Sequence, residues 1–444
     1  MATLAETTRT GPGLAEAAAR ARRLGRPVLT SRTRPVGVQD PIQVFAAAAG
    51  AGERGLWLRP SANDAIVSIG SARSLTGSGA GRCQQIASAW RDLLADAVID
   101  GGPAGPLLFG GFSFDPLRPG SRVWTGFPDA RMVLPERVFT LRGGVARVTT
   151  NAIVADEPPA APEHEEEVNT TAAPAALDTG AWQALVERVA GGVRRGDLGV
   201  SKVVLARARQ VRVRRSIEDA LRDLAARYPE CTVFAVGRGD ACFLGATPER
   251  LISLRDGTAS TMALAGSAPR GQSPAEDERL AQWLLSSPKE RTEHAVVATV
   301  LREGLGQVCT SIVADSQPAV HKLANVQHLL TRIRGHVAAG RSVLDLLEHL
   351  HPTPAVAGYP RAAALDLIRQ HEALDRGWYA APVGWMDARG EGEFVVGLRS
   401  GLVRGETATL FAGCGIVADS APAAEVAEWG WKLRPMLGAL GVRV

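Results

Sequence analysis

The apolar segments of this chain are short, broken by glycine, and follow one another without a strand–crossover–strand rhythm. Pro106-Leu107-Leu108-Phe109-Gly110-Gly111-Phe112-Ser113-Phe114 has the apolar surface of a strand and glycines that permit close turns. Thr232–Val236 and Ala241–Gly245 flank Gly237-Arg238-Gly239-Asp240, a hairpin signature. Between such segments stand helices with well-marked starts. Ser273-Pro274-Ala275-Glu276 and Ser287-Pro288-Lys289-Glu290 each place Ser at the N-cap, Pro at the first helical position and Glu at the third, the pattern of a capping box. Trp182, Leu185, Val186, Val189 and Val193 recur at helical spacing, and a last helix is expected from about Ala423 to Leu440. Hairpins and helices mixed in this way predict an α+β fold in preference to a doubly wound sheet.

One stretch interrupts the pattern. Residues 155 to 179 are rich in Pro, Ala and Glu with almost no large apolar side chain, and read as a linker or long loop. A chain of 444 residues with 45% hydrophobic and 22% charged residues can bury one large core or two ordinary ones. The net charge is only +4, with basic residues scattered along the chain, which argues against a nucleic-acid binder. The five cysteines (Cys83, Cys231, Cys242, Cys309, Cys414) show no CxxC or Cys/His metal spacing, as expected of reduced thiols in a cytoplasmic protein. The N-terminus lacks an apolar signal core, and the longest apolar run, around residues 42 to 49, falls far short of the roughly 20 residues that span a bilayer, so a soluble protein is expected. There is no GxxxxGK[ST], and Gly77-Ser78-Gly79-Ala80-Gly81-Arg82 lacks the third glycine of a dinucleotide fingerprint.

Three features point to chemistry. Of the 50 basic residues only four are lysines, Lys202, Lys289, Lys322 and Lys432. Arginine cannot give up its proton near neutral pH, so in this background a lysine is a candidate for proton chemistry. The helix starting at Pro288 has an apolar stripe through Val297, Val300 and Leu301, with Glu293 in line with it and Glu290 one turn earlier. A buried carboxylate is costly unless paired, hydrogen-bonded or metal-bound; the plain alternative is a helix end where the stripe meets solvent. The last helix has its stripe at Val426, Trp429, Leu433, Met436, Leu437 and Leu440, edged by Glu425, Glu428 and Lys432. Alone this row is a solvated flank with a Glu–Lys pair worth a few tenths of a kcal/mol. Two Glu-x-x-Glu pairs on separate helices are also how a protein holds Mg²⁺, which prefers oxygen ligands and leaves positions open for water and substrate.

From about Trp182 to the C-terminus the sequence resembles the chorismate-utilising enzymes: isochorismate synthases, salicylate synthases, anthranilate synthase component I and aminodeoxychorismate synthase. The resemblance is carried by Ser201-Lys202-Val203-Val204-Leu205-Ala206-Arg207, Leu244-Gly245-Ala246-Thr247-Pro248-Glu249-Arg250-Leu251, Leu264-Ala265-Gly266-Ser267 and Lys289-Glu290-Arg291-Thr292-Glu293-His294. It continues through His351-Pro352-Thr353-Pro354-Ala355-Val356-Ala357-Gly358, Gly377-Trp378-Tyr379-Ala380, Leu398-Arg399-Ser400 and Gly413-Cys414-Gly415-Ile416-Val417 to the Glu425/Glu428/Lys432 row. Each string is weak alone; the set in this order is specific. Residues before the linker match more loosely, through Phe109–Phe114.

The resemblance implies one large α+β domain with a layered antiparallel sheet core. Residues 1–154 would supply strands to the same core as the catalytic region 180–444, with 155–179 an insertion. It implies Mg²⁺ held by Glu293 and Glu428, with Glu290 and Glu425 in support. The substrate would contact Gly266, Ser267, Thr353, Tyr379, Arg399, Lys432 and backbone N–H groups at Gly413 and Gly415. Lys202 would be the base that activates water at C2 of chorismate, and Glu249 the acid that protonates the departing C4 hydroxyl. Their tasks require a lysine that can lose its proton and a glutamic acid whose pKa is raised.

Within the family, the Lys at position 202 resembles the water-using members. Leu264-Ala265-Gly266-Ser267 lacks the nucleophilic lysine of aminodeoxychorismate synthases. No glutaminase domain is present and no glutaminase subunit is expected. Ser267 favours isochorismate synthase over salicylate synthase, which goes on to eliminate pyruvate. A non-catalytic chorismate-binding homologue is disfavoured by the intact Lys202, Glu249, Glu293 and Glu428. Enzymes of this type serve menaquinone or siderophore biosynthesis.

Overall fold

The computed structural model describes residues 12–442 except 103–104, 119, 156–177 and 324–325. Nearly all of the expected 155–179 linker therefore lies outside the described residues. Two large sheets organise the rest, and every strand pairing but one is antiparallel: Val28–Val36 runs parallel to Val98–Asp100. The twelve-stranded sheet begins at Gly358–Tyr359 and passes through Lys202–Arg212, Thr407–Ile416, Ser400–Arg404 and the hairpin Ala241–Thr247/Thr232–Arg238. There it continues without a break into Glu53–Arg59, with Val233 opposite Leu58 and Arg238 opposite Glu53, and then into five more strands from the first 154 residues. The ten-stranded sheet does the same, joining Pro382–Asp387 to Leu107–Phe112. The fold is α+β in a single domain.

Local signals explain where these elements start and stop. In the hairpin the ladder extends to Arg238 opposite Ala241, so the turn narrows to Gly239-Asp240, with Gly239 at φ 56°. The helix Thr179–Arg195 is capped by Asp178, which accepts from the Ala181 N–H at 2.7 Å, and ends on Gly196 in the left-handed conformation. Trp182, Leu185, Val186 and Val189 are buried on it, and Val193 is half-buried. Ser273 and Ser287 cap the helices Pro274–Ser286 and Pro288–Gly306 by accepting from Glu276 and Glu290 N–H groups. Neither capping box closes: Glu276 accepts from Gln272 N–H at 2.8 Å, and Glu290 from Ser267 N–H at 3.0 Å. The diversion of Glu290 matters for the site. The final helix spans Pro422–Ala439, with Leu433, Met436 and Leu437 buried against the outer face of the twelve-stranded sheet.

The sheets pack face to face over an aromatic core. Gly55 on one sheet is pressed against the Phe109 ring of the other, where a Cβ would come within 2.3 Å of the ring. Trp124 stacks on Phe411 at 5.3 Å and meets Phe243 edge-on at 5.3 Å, and Phe411 in turn stacks on Tyr379 at 5.3 Å. Each such pair contributes about 0.5–1.5 kcal/mol beyond area burial. Through this chain the first third of the sequence braces a side chain of the candidate site.

Candidate active site

The site gathers at the end of the Lys202–Arg212 and Thr407–Ile416 strands, under the first turns of the helices Pro288–Gly306 and Pro422–Ala439. Lys202 opens its strand, is 9% exposed, and donates from Nζ to Glu293 Oε1 at 2.6 Å. Gly415 on the neighbouring strand makes room for it: a Cβ there would sit 2.5 Å from Lys202 Cε. Glu293 is not in the middle of its helix's buried stripe, which runs through His294, Val297, Leu301 and Leu305; it stands at the edge facing the cleft. His294 fixes that edge, with Nδ1 3.2 Å from the Ala265 carbonyl and Nε2 2.7 Å from the Thr331 hydroxyl.

Beside this contact the strand Thr258–Pro269 bulges at Gly266, which sits at φ 73°, a conformation that favours glycine, and where a Cβ would lie 3.1 Å from the Glu290 carbonyl. The bulge aims the Ser267 N–H at Glu290. Burial, together with the nearby Glu293, pushes the Glu290 carboxyl above the usual range. On the opposite helix burial and Glu428 raise Glu425 in the same way. Glu428 Oε1 accepts from Lys432 Nζ at 2.6 Å, and Lys432 also donates to the Gly413 carbonyl at 2.8 Å. The Lys202 charge outweighs burial at Glu293 and holds its carboxyl low, with smaller help from Lys289 and Lys432. Cys414 Sγ, Glu425 and Glu428 place one ligand atom each within 4.8 Å of one another. The four carboxylates are oxygen donors in two pairs near two helix starts, linked by Lys432, which pairs with Glu428 and whose charge acts on Glu293; burial first, then the neighbouring carboxylate, raises Glu290 and Glu425. That donor set fits a small hard cation such as Mg²⁺.

Strand register accounts for the two glycines. Val204 N–H donates to the Ala357 carbonyl at 2.8 Å and Ala206 N–H to Glu372 at 2.8 Å, both away from Thr407–Ile416. Val204–Gly415 and Ala206–Gly413 are therefore non-hydrogen-bonded pairs, and the two glycine N–H groups face the far edge of their strand. Pairing with Ser400–Arg404 stops at Phe411, so among the described residues no strand covers that edge. A buried Arg376–Glu372 pair at 2.6 Å sets this register: Arg376 also donates to the Val204 and Val356 carbonyls at 2.7 and 2.8 Å, tying the strand to the Thr353 turn.

Cations and a buried acid complete the cleft. Glu249 is 8% exposed, and burial pushes its carboxyl up to about 7 against the opposing pull of Lys202, Arg399 and the Thr353 hydroxyl. Arg399 sits at φ 50° with its guanidinium 5.4 Å from the Trp431 ring centre, and makes no ion pair or side-chain hydrogen bond among the described residues. Burial lowers its pKa against the pull of Tyr379 and Glu428. Arg399 also borders a cleft of about 410 Å³ with Tyr228, Arg270 and Lys322. Tyr379, 3% exposed, lies with its hydroxyl against Gly413, and burial raises its pKa.

The structure thus brings all fourteen residues nominated from the sequence to one locality. His328 was missed. It faces Ser267 across the strand pair, Nδ1 lying 2.8 Å from the Ser267 hydroxyl and 3.3 Å from the Gly266 carbonyl. Burial, then the Arg399 and Lys432 charges, push its pKa down to about 3, so the ring is neutral. Its only sequence signal is the register that sets Val326–Val337 beside Thr258–Pro269, which no local pattern reveals.

The chain is similar to known proteins over nearly its whole length. A family model described as "Chorismate binding enzyme" matches residues 15–441. The "Salicylate biosynthesis isochorismate synthase" of Pseudomonas aeruginosa is 41% identical, over 95% of this chain and 92% of that protein. The "Isochorismate synthase MenF" of Bacillus subtilis is 33% identical over 95% of both. A crystal structure described as a 2,3-dihydroxybenzoate-specific isochorismate synthase from Bacillus anthracis superposes with a TM-score of 0.72 at 26% identity, covering 90% of this chain and all of that one. With the match running through both sheets and every residue of the cleft, the chain belongs to the chorismate-binding enzyme family.

Proposed function

We propose that this enzyme is an isochorismate synthase, an isomerase that adds water at C2 of chorismate and expels the C4 hydroxyl. The observation that carries the reading is Glu249. A carboxyl with a pKa of about 7 is about half protonated at neutral pH, whereas an ordinary glutamic acid is almost wholly ionised there. That is the state a general acid needs to protonate a departing hydroxyl. Across the cleft, Lys202 would take the proton from the attacking water. One water enters and one leaves, so the reaction is a net isomerisation and needs no ammonia-supplying glutaminase subunit.

The unpartnered Arg399 fork supports binding of a planar carboxylate, with Tyr379, Lys432, Ser267, Thr353 and the Gly413 and Gly415 N–H groups as further contacts. Glu293 and Glu428 would hold Mg²⁺, with Glu290 and Glu425 beside them, supplying positive charge to the ring carboxylate of the substrate. The 2.6 Å contact between Glu293 and Lys202 would couple the metal position to the base.

The test is the product. Purified enzyme supplied with isochorismate should return it to a mixture with chorismate, because exchange of one allylic oxygen substituent for another is readily reversible. Stoichiometric pyruvate release at a comparable rate would instead make the enzyme a salicylate synthase.

A further inference from the structure

We infer that the chain carries a second ligand site: a cleft lined by Arg59, Arg250, Arg255, Arg332, Arg334 and Glu393 that takes a small oxyanion bearing at least two negative charges. Four strands of the ten-stranded sheet build it. Glu393, Ser253, Ser260 and Arg334 stand in one row across neighbouring strands, paired Glu393–Ser253, Ser253–Ser260 and Ser260–Arg334. Arg59 closes the row from the twelve-stranded sheet. The cleft encloses about 420 Å³.

Its charges do not balance. Glu393, with a side chain only 2% exposed, is shared between Arg59 at 3.3 Å and Arg255 at 3.5 Å. Asp64 takes a second nitrogen of Arg59, and Arg332 reaches Asp315 at 3.7 Å. Arg250 and Arg334 make no ion pair and no side-chain hydrogen bond among the described residues, and the Arg250 Nε is buried without a partner. Burial lowers the Arg250 pKa, and Arg59, Arg255 and Arg334 lower it further against the pull of Glu393. A surface arginine patch is normally solvated, but a half-buried guanidinium with an orphaned N–H faces a desolvation cost that an anion would offset. Guanidinium forks match phosphate and carboxylate oxygens in pairs, and the Ser253 and Ser260 hydroxyls between them add donors.

The cleft is lined by none of the active-site residues, although Arg250 follows Glu249 in the chain. An oxyanion held here would therefore not compete with chorismate. The volume exceeds that of a bare oxyanion, so a phosphate ester and a polycarboxylate share the required chemistry.

Calorimetric titration of the full chain with inorganic phosphate and, separately, with citrate tests the site, with sodium chloride of matched ionic strength as the blank. Wild type should bind at least one of them, and Arg250→Gln/Arg334→Gln should bind it at least tenfold more weakly. The tighter of the two anions assigns the phosphate or the polycarboxylate class. Arg334 is exposed at the mouth, so Arg334→Gln alone keeps its fold and should weaken binding about threefold or more. With free Mg²⁺ held constant, chorismate KM should stay unchanged at a saturating concentration of the bound anion. The inference is overturned if neither anion binds, if both variants bind as tightly as wild type, or if the anion raises chorismate KM competitively.

Discussion

Replacing Glu249 with Gln should make the protein more stable at alkaline pH while nearly abolishing its activity. The carboxyl is 8% exposed and its pKa is raised by burial from 4.5 to about 7. As pH rises past 4.5 the unfolded chain ionises this group, but the folded chain keeps the proton until near 7. Stability therefore falls across that window, and the deficit is complete above it. The gap from 4.5 to about 7 is about 2.5 pH units, which at about 1.4 kcal/mol each costs the folded state about 3 kcal/mol. Unfolding entropy of about 2.1 cal/mol/K per residue over 444 residues gives about 0.9 kcal/mol/K, so Glu249→Gln should raise Tm by about 3 °C at pH 8. At pH 5.5 only about one pH unit of the penalty has accrued, and the gain should shrink to about 1 °C. Gln cannot donate the proton, so kcat should fall about 10²-fold or more. Thermal scans of both proteins at the two pH values, paired with turnover assays, decide the matter. A variant no more stable at pH 8 than wild type would refute a buried, proton-holding Glu249.

Other outcomes follow from the same geometry. Lys202→Ala should lower kcat about 10²-fold or more while chorismate binding by calorimetry persists; a wild-type rate would place the base elsewhere. Chelation should abolish turnover and Mg²⁺ restore it, and Glu428→Gln should raise the Mg²⁺ concentration needed for half-maximal rate; full activity in metal-free buffer would contradict the four-carboxylate assignment. Gly415→Ala would put a methyl 2.5 Å from Lys202 Cε, so kcat should fall about tenfold or more with little change in Tm, whereas an unchanged kcat would mean that the lysine's position is not critical.

The local chemistry of this chain could be read directly from its residues. Ser273 and Ser287 start helices because a side-chain oxygen meets an N–H three residues on, and Gly239-Asp240 turns a hairpin because glycine tolerates positive φ. The apolar stripe from Trp182 to Val193 docks one helix for the same reason: the relevant partners lie within a turn or two. The two Glu-x-x-Glu rows were visible as carboxylates, one pair within an apolar stripe and the other along the edge of one, and the motif order carried their chemistry by resemblance. What the rows face was decided by packing. Glu290 left its own helix start to hold Ser267, and Lys202 found Glu293 across 91 residues of chain. The Gly413 and Gly415 N–H groups face an open edge only because Val204 and Ala206 bond elsewhere and the adjoining strand stops at Phe411. His328 and the arginine cleft belong wholly to this second kind. Their members come from strands whose neighbours are set by sheet register, and register is fixed by burying one face of each strand against the other sheet, a property of the whole fold that no stretch of sequence carries alone.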